Sequence, residues 1–252
     1  MDQNRDQALP PINTYEDLAG RIDHSLVQPD LAEDQVISGC EVAARYRVAA
    51  VLVRAGDVDL AARILSGSGV KVAGAVGFPH GSSSTAVKLY EGRDVLRRGA
   101  REVDFVLNYS KLLSRHFQHV EMELLQMAES CHKEGALLKV ILETAYLGRE
   151  LKIIACRIVD RAGVDLVETS TEFAPAGWTS ADLELLRAHL PERVGLKAAG
   201  GIETLEQALA ACQAGATRFG TTTTTVILDA WKARIAARQA APAGQQGPAP
   251  IS

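Results

Sequence analysis

The chain lacks any apolar run approaching the roughly 18 residues that a membrane-spanning helix needs. Aromatic residues are scarce, 5% of 252, which argues against an aromatic-rich sandwich and against a stacking platform for nucleic acid. Basic charge is not in surplus. The 27 Lys and Arg face 31 Asp and Glu, a formal net charge of −4, so the electrostatic footprint of a nucleic-acid binder is missing. The cysteines Cys40, Cys131, Cys156 and Cys212 are far apart, with no CxxC and no zinc spacing. They read as buried reduced thiols, which places the protein in the cytoplasm. Residues 1–10 are polar and carry no apolar signal-peptide core. No glycine-rich nucleotide-binding pattern occurs. His116 and His119 share helical spacing with Glu123, and a solvated helix face is the expected reading of that trio. Neither a metal nor a cofactor is expected.

The composition is that of a globular protein, 47% hydrophobic and 23% charged. Short β-branched runs alternate with longer amphipathic stretches. The runs at 22–27, 48–53, 70–76, 102–107, 137–142, 166–169, 194–198 and 217–220 read as strands. Helical patterns between them include 86–98, 117–134, 151–161, 180–189 and 205–212. Gly99 and Gly135 fall where helix C-caps belong. Thr204 with Gln207 forms a capping-box pattern. A phrase of Gly, a small residue, two variable residues and an apolar one recurs at Gly99, Gly163 and Gly215. Each instance reads as a helix end turning into a strand. Eight strands alternating with helices over about 250 residues give an α/β fold, a single-domain (β/α)8 TIM barrel. A doubly wound open sheet is the alternative, because periodicity alone does not show closure. The domain is expected over 15–238, with an N-terminal extension at 1–14 and a disordered tail at 239–252, rich in Pro, Gly, Gln and Ala.

Chemistry in such a barrel gathers at the C-terminal strand ends. Lys139 and Lys197 lie inside apolar strand runs, where a lysine is costly to bury unless paired. Each could serve a structural ion pair. Two lysines with several carboxylates at one rim point instead to a functional cluster, since a desolvated amine attacks carbonyls to form an imine. Alternation along β-type residues places Glu102, Asp104 and Val106 on one face, so Asp104 is either a counter-ion or an acid/base group. Gly200 and Gly201, with Gly220 and the hydroxyls of Thr221, Thr222 and Thr223, fall where barrels bind phosphate after the seventh and eighth strands.

Several motifs stand together: Gly77-Phe78-Pro79-His80-Gly81, Glu102-Val103-Asp104-Phe105-Val106, Leu138-Lys139-Val140-Ile141-Leu142-Glu143-Thr144, Thr169-Ser170-Thr171 and Lys197-Ala198-Ala199-Gly200-Gly201-Ile202. In order and spacing the chain resembles the deoxyribose-phosphate aldolases, over about residues 15–230. The resemblance implies a barrel that cleaves 2-deoxyribose 5-phosphate reversibly to acetaldehyde and glyceraldehyde 3-phosphate. It also implies a small-molecule carbonyl substrate, no nucleic-acid or membrane partner, and a homodimer. Lys197 matches the family's second lysine and Asp104 its proton-transfer aspartate. Ser170 and Thr171 fall at the substrate end.

The family's Schiff-base lysine precedes Thr-Ser-Thr, and that position holds Glu168. Glu172 stands for the glycine that follows the motif, Glu203 for an arginine and Gln28 for a lysine. A carboxylate forms no imine. The catalytic set expected here is therefore Lys197, Asp104, Glu168 and Lys139. Three functions remain open. One is a lyase acting on a small aldehyde, ketone or sugar-phosphate-like compound, with its imine moved to Lys197. Another is an enzyme without an imine, in which Glu168 acts as the base for enolisation, isomerisation or cyclisation. The third is an inactive metabolite-binding barrel.

Overall fold

A computed structural model describes residues 11–240. Eight parallel strands close into a barrel in chain order. They are β1 (Ile22–Leu26), β2 (Ala50–Val53), β3 (Lys71–Val76), β4 (Glu102–Val106), β5 (Leu137–Ile141), β6 (Leu166–Glu168), β7 (Gly195–Ala198) and β8 (Arg218–Thr221). Pairing of β8 with β1 closes the cylinder, so the open-sheet alternative is set aside. Every predicted strand is present within about two residues. The small differences have local causes. Arg47 turns left-handed at φ 51° to end the helix Glu33–Tyr46, and Val48 donates back to Ala43, so β2 starts late. Thr217 spends its hydroxyl on the backbone of Leu196 rather than extending β8.

The helix ends follow their sequence signals. Thr204 and Gln207 complete the capping box of the helix Leu205–Gln213. Gly99 and Gly135 adopt φ values of 116° and 65°, which cost a glycine little. Ile12 is buried in the core, and Thr14 caps the helix Tyr15–Ala19. The Trp231 indole N–H donates to the Thr14 carbonyl at 2.8 Å, so the last helix, Thr224–Ala240, is fastened to the start of the barrel. Residues 1–10 of the expected extension and 241–252 of the expected tail lie outside the described residues.

Outward-facing strand residues such as Val51, Val103, Phe105, Val140, Val167, Leu196 and Phe219 are buried beneath the helices in one continuous core. The barrel interior divides into two halves. Leu52, Ala73 and Ala75 form a small apolar cluster with Val27, against which Phe78 packs. Opposite them, β4 to β8 and β1 turn Glu102, Asp104, Lys139, Glu168, Lys197, Arg218 and Asp23 inward. Barrel interiors are ordinarily filled by branched apolar side chains. Here half of the interior is filled by charge.

A second buried pair sits outside the barrel. Lys88 Nζ lies 2.7 Å from Glu123 Oε2, both side chains being fully buried. The ammonium is 4.0 Å from the Phe105 ring centroid and donates to the Gly81 carbonyl at 3.4 Å. Lys88 thus ties the loop after β3, which carries Phe78, to the helix Phe117–Lys133. Glu123 is buried by this pair, while His116 and His119 are exposed; the Thr85 hydroxyl donates to Glu123 Oε1 at 3.0 Å and lies 3.4 Å from His119 Nε2. Removing one partner of a buried pair costs about 3–5 kcal/mol. Glu123→Ala should destabilise the fold by that amount in a chemical-denaturation curve. The double variant Lys88→Met/Glu123→Leu should recover most of the loss.

Candidate active site

Strand register places the inward charges next to one another. Asp104 is paired with Lys139 across β4 and β5, and Glu168 with Lys197 across β6 and β7. Toward the N-terminal end of the barrel, Arg218 at the start of β8 donates through Nε to Asp23 Oδ1 at 2.9 Å and through Nη2 to Glu102 Oε2 at 3.2 Å. Above it, Lys139 Nζ lies 2.6 Å from Asp23 Oδ2 and 2.8 Å from both Glu102 Oε2 and Asp104 Oδ1. Lys197 Nζ lies 2.7 Å from Asp104 Oδ2, 3.0 Å from Glu168 Oε1 and 3.1 Å from Asp23 Oδ2. Both lysines are fully buried. Asp23 and Asp104 therefore bridge the two ammonium groups.

The charges determine the protonation states. Lys197 is held well above the ordinary lysine range: burial opposes its charge, and Asp104, Glu168 and Asp23 overcome that. Lys139 is raised in the same way by Asp104, Asp23 and Glu102 against its own burial. Asp23 stays well below the usual carboxylate range: burial would raise it, and Lys139, Lys197 and Arg218 outweigh burial. Asp104 is likewise lowered. Glu168 goes the other way, pushed well above the carboxylate range by burial, with Asp104 adding to the rise. Three cations face four carboxyl groups in this lattice, so a neutral Glu168 balances the charge. Two carboxylates about 4 Å apart would repel by about 4 kcal/mol at an effective dielectric near 20. Oε2 of Glu168 is buried without a hydrogen-bond partner.

Asp23, Glu168 and Lys197 border a narrow cleft at the C-terminal end of the barrel, with Ser25 and Glu172. Val27, Leu52 and Phe78 form its apolar wall. Phe78 meets Phe173 edge-on, ring centroids 5.4 Å apart, which joins the loops after β3 and β6 over this end.

The sequence-derived catalytic set Lys197, Asp104, Glu168 and Lys139 is brought together. Asp23 was not singled out from the sequence, although it touches both lysines and Arg218. A carboxylate in the otherwise fully buried β1 was the available signal.

The expected phosphate ligands are placed differently. Gly220, Ser170 and Thr171 line the cleft, but Thr171 gives its hydroxyl to Glu143. Thr221 donates to the Ile202 carbonyl at 2.6 Å and Thr223 to the Glu203 carbonyl at 2.9 Å. The Gly200 amide donates to Glu172. Gly201 and Thr222 are exposed. Arg54 and Arg218 bring no positive charge to the cleft, because Arg54 is bound to Asp57 and Arg218 lies below the lysines. All four cysteines are buried and free. Burial pushes the Cys131 and Cys156 thiols up to about 12, so they stay protonated.

Comparisons with known proteins agree with the barrel fold. A family model described as DeoC/LacD family aldolase matches residues 19–229. A deoxyribose-phosphate aldolase from Bacteroides thetaiotaomicron is 41% identical over 219 residues, 87% of this chain and 92% of that protein. The solved structure of an aldolase designated QR15 superposes with a TM-score of 0.82 at 35% identity, covering 86% of this chain and 97% of its own. The deoxyribose phosphate aldolase of Aeropyrum pernix, described as a unique tetramer, superposes with a TM-score of 0.83 at 30% identity, covering 89% and 94%.

The raised Glu168 has a consequence for stability. A group whose folded pKa lies above its unfolded value stabilises below the unfolded pKa, and that contribution is lost as pH rises through the folded pKa. For Glu168 the loss begins above the ordinary carboxylate range. The lowered Asp23 and Asp104 give the opposite sign, with stability lost as pH falls through their folded values. Glu168→Gln should therefore flatten the alkaline decline seen in denaturation midpoints across pH. It should leave the acid decline in place.

Proposed function

This chain belongs to the DeoC/LacD family of aldolases, and from that premise we propose that it makes or breaks a carbon–carbon bond beside the carbonyl of a small aldehyde or ketone. The observation that carries the reading is the contact of Lys197 with Glu168 at the cleft, 3.0 Å apart, over the Asp104 carboxylate. Lys197 lines the cleft, and a fixed cation beside a bound carbonyl stabilises a developing enolate. Glu168 holds or takes the proton at the neighbouring carbon. A raised carboxyl pKa keeps the acid form available near neutral pH and makes the ionised form a stronger base.

In the cleavage direction, the substrate hydroxyl passes its proton to one oxygen of Glu168 as the carbon–carbon bond breaks and the electron pair moves to the enolate; the proton Glu168 already held goes to the enolate carbon, so the carboxyl group ends neutral. In the synthetic direction, Glu168 takes the proton from that carbon, the new bond forms, and its original proton goes to the new alkoxide oxygen. Asp104 and Asp23 hold Lys197 in place and balance its charge, and Lys139 anchors both aspartates.

An imine on Lys197 is the second reading, supported by the position of that lysine at the cleft. It requires the ammonium to lose its proton to Glu168 or Asp104 when a substrate enters, against three surrounding carboxyl groups. We further propose that the chain works as a homo-oligomer, of which a dimer is the simplest form, in the cytoplasm.

Turnover of a panel of small aldehydes and ketones should vanish in Lys197→Met. In Glu168→Gln it should fall by about 10²–10⁴-fold, the usual contribution of a positioned acid/base group. Borohydride added during turnover, read by intact mass, should leave the wild type unmodified. A stable adduct mapped to Lys197 would select the imine route, and full activity in both variants would reject the site.

A further inference from the structure

The position where an anion would bind is already occupied by a side chain of the protein. The loops after the seventh and eighth strands of such barrels frequently bind phosphate through backbone N–H groups. Here Glu172 Oε1 accepts the Gly200 amide at 3.3 Å. Glu172 sits at φ 72°, a left-handed conformation that a side chain other than glycine rarely adopts without compensation. Its own amide donates to Ser170 Oγ at 3.0 Å, which fixes the turn and aims the carboxyl group across to β7. The hydroxyls of Thr221 and Thr223 are given to main-chain carbonyls. Burial, with Glu203 adding negative charge nearby, pushes the Glu172 carboxyl above its ordinary range.

The cleft therefore presents the carboxyl groups of Asp23, Glu168 and Glu172. Its one lysine, Lys197, is already shared among three carboxyl groups. A phosphate entering here would have to displace the Glu172–Gly200 bond and would meet the Asp23 carboxylate, with no unshared cation in the lining to offset it.

We propose that Glu172 determines specificity by filling the phosphate cradle, so that the substrate is a small carbonyl compound without phosphate whose far end donates to Glu172 through a hydroxyl or amine. The proposal rests on the carbonyl chemistry given above for Lys197 and Glu168 and names the class of compound that chemistry would serve. Its test reads binding, so it stands apart from whether any compound is turned over.

Isothermal titration of the full-length protein with inorganic phosphate, glyceraldehyde and glyceraldehyde 3-phosphate makes the comparison. The wild type should bind no phosphate, and should bind glyceraldehyde about tenfold or more tighter than its 3-phosphate. Glu172→Gly suits the left-handed backbone, so it should fold at least as well as the wild type. It should gain phosphate binding and reverse the order of the two glyceraldehydes. Glu172→Gln, which keeps the shape without the charge, should fall between them. Phosphate binding by the wild type, binding of neither glyceraldehyde by it, or an unchanged order in Glu172→Gly would each overturn the proposal. Loss of turnover with the binding pattern intact would instead count against the carbonyl chemistry.

Discussion

Everything at the C-terminal end of this barrel depends on two aspartates that each touch both lysines of the barrel interior. Asp23 and Asp104 bring Lys139 and Lys197 together through contacts of 2.6–3.1 Å. Transfer of any one of these ions from water into the interior would cost several kcal/mol. The lattice is tolerable because each ion has opposite charges in contact and because Arg218 closes its lower side. Such a lattice resists substitution of single members, since removing one leaves its partners uncompensated. It also fixes the geometry to within the precision that catalysis demands.

The same lattice leaves Lys197 and Glu168 in complementary protonation states. Two lysines placed side by side would ordinarily depress each other's pKa and favour a neutral amine. With Asp23 and Asp104 between them, both are kept as ammonium ions. The charge imbalance falls on Glu168, the carboxyl group nearest the mouth with one oxygen unpartnered. A cation and a neutral acid side by side are suited to polarising a carbonyl and moving a proton at the adjacent carbon. A nucleophilic amine is what this arrangement least favours.

Much of this was legible in the sequence. The eight strands showed themselves as β-branched runs, and the glycines ahead of β4, β6 and β8 marked the helix ends. Lys139 and Lys197 were conspicuous because charge interrupts apolar runs. Asp23 was harder to see: in Ile22-Asp23-His24-Ser25-Leu26 polar residues occupy both faces, and all five residues are buried, so alternation did not say which one faced inward. The residues expected to bind phosphate do lie at or just past the ends of β6, β7 and β8. What escaped was where their donors go. The bond from Gly200 to Glu172 and those from Thr221 and Thr223 to carbonyls join loops distant in sequence, and no periodic pattern encodes them.

The account is tested most directly by the protonation state of Glu168. Infrared difference spectra between the wild type and Glu168→Gln near neutral pH isolate the C=O stretch of a protonated carboxyl group. The account expects that band in the wild type and its loss in the variant, with the signal disappearing only when pH rises well beyond the ordinary carboxylate range. A wild type showing only the carboxylate stretch at neutral pH would mean that Glu168 is ionised beside Lys197. The charge balance proposed for the barrel, and the proton transfer built on it, would then be wrong.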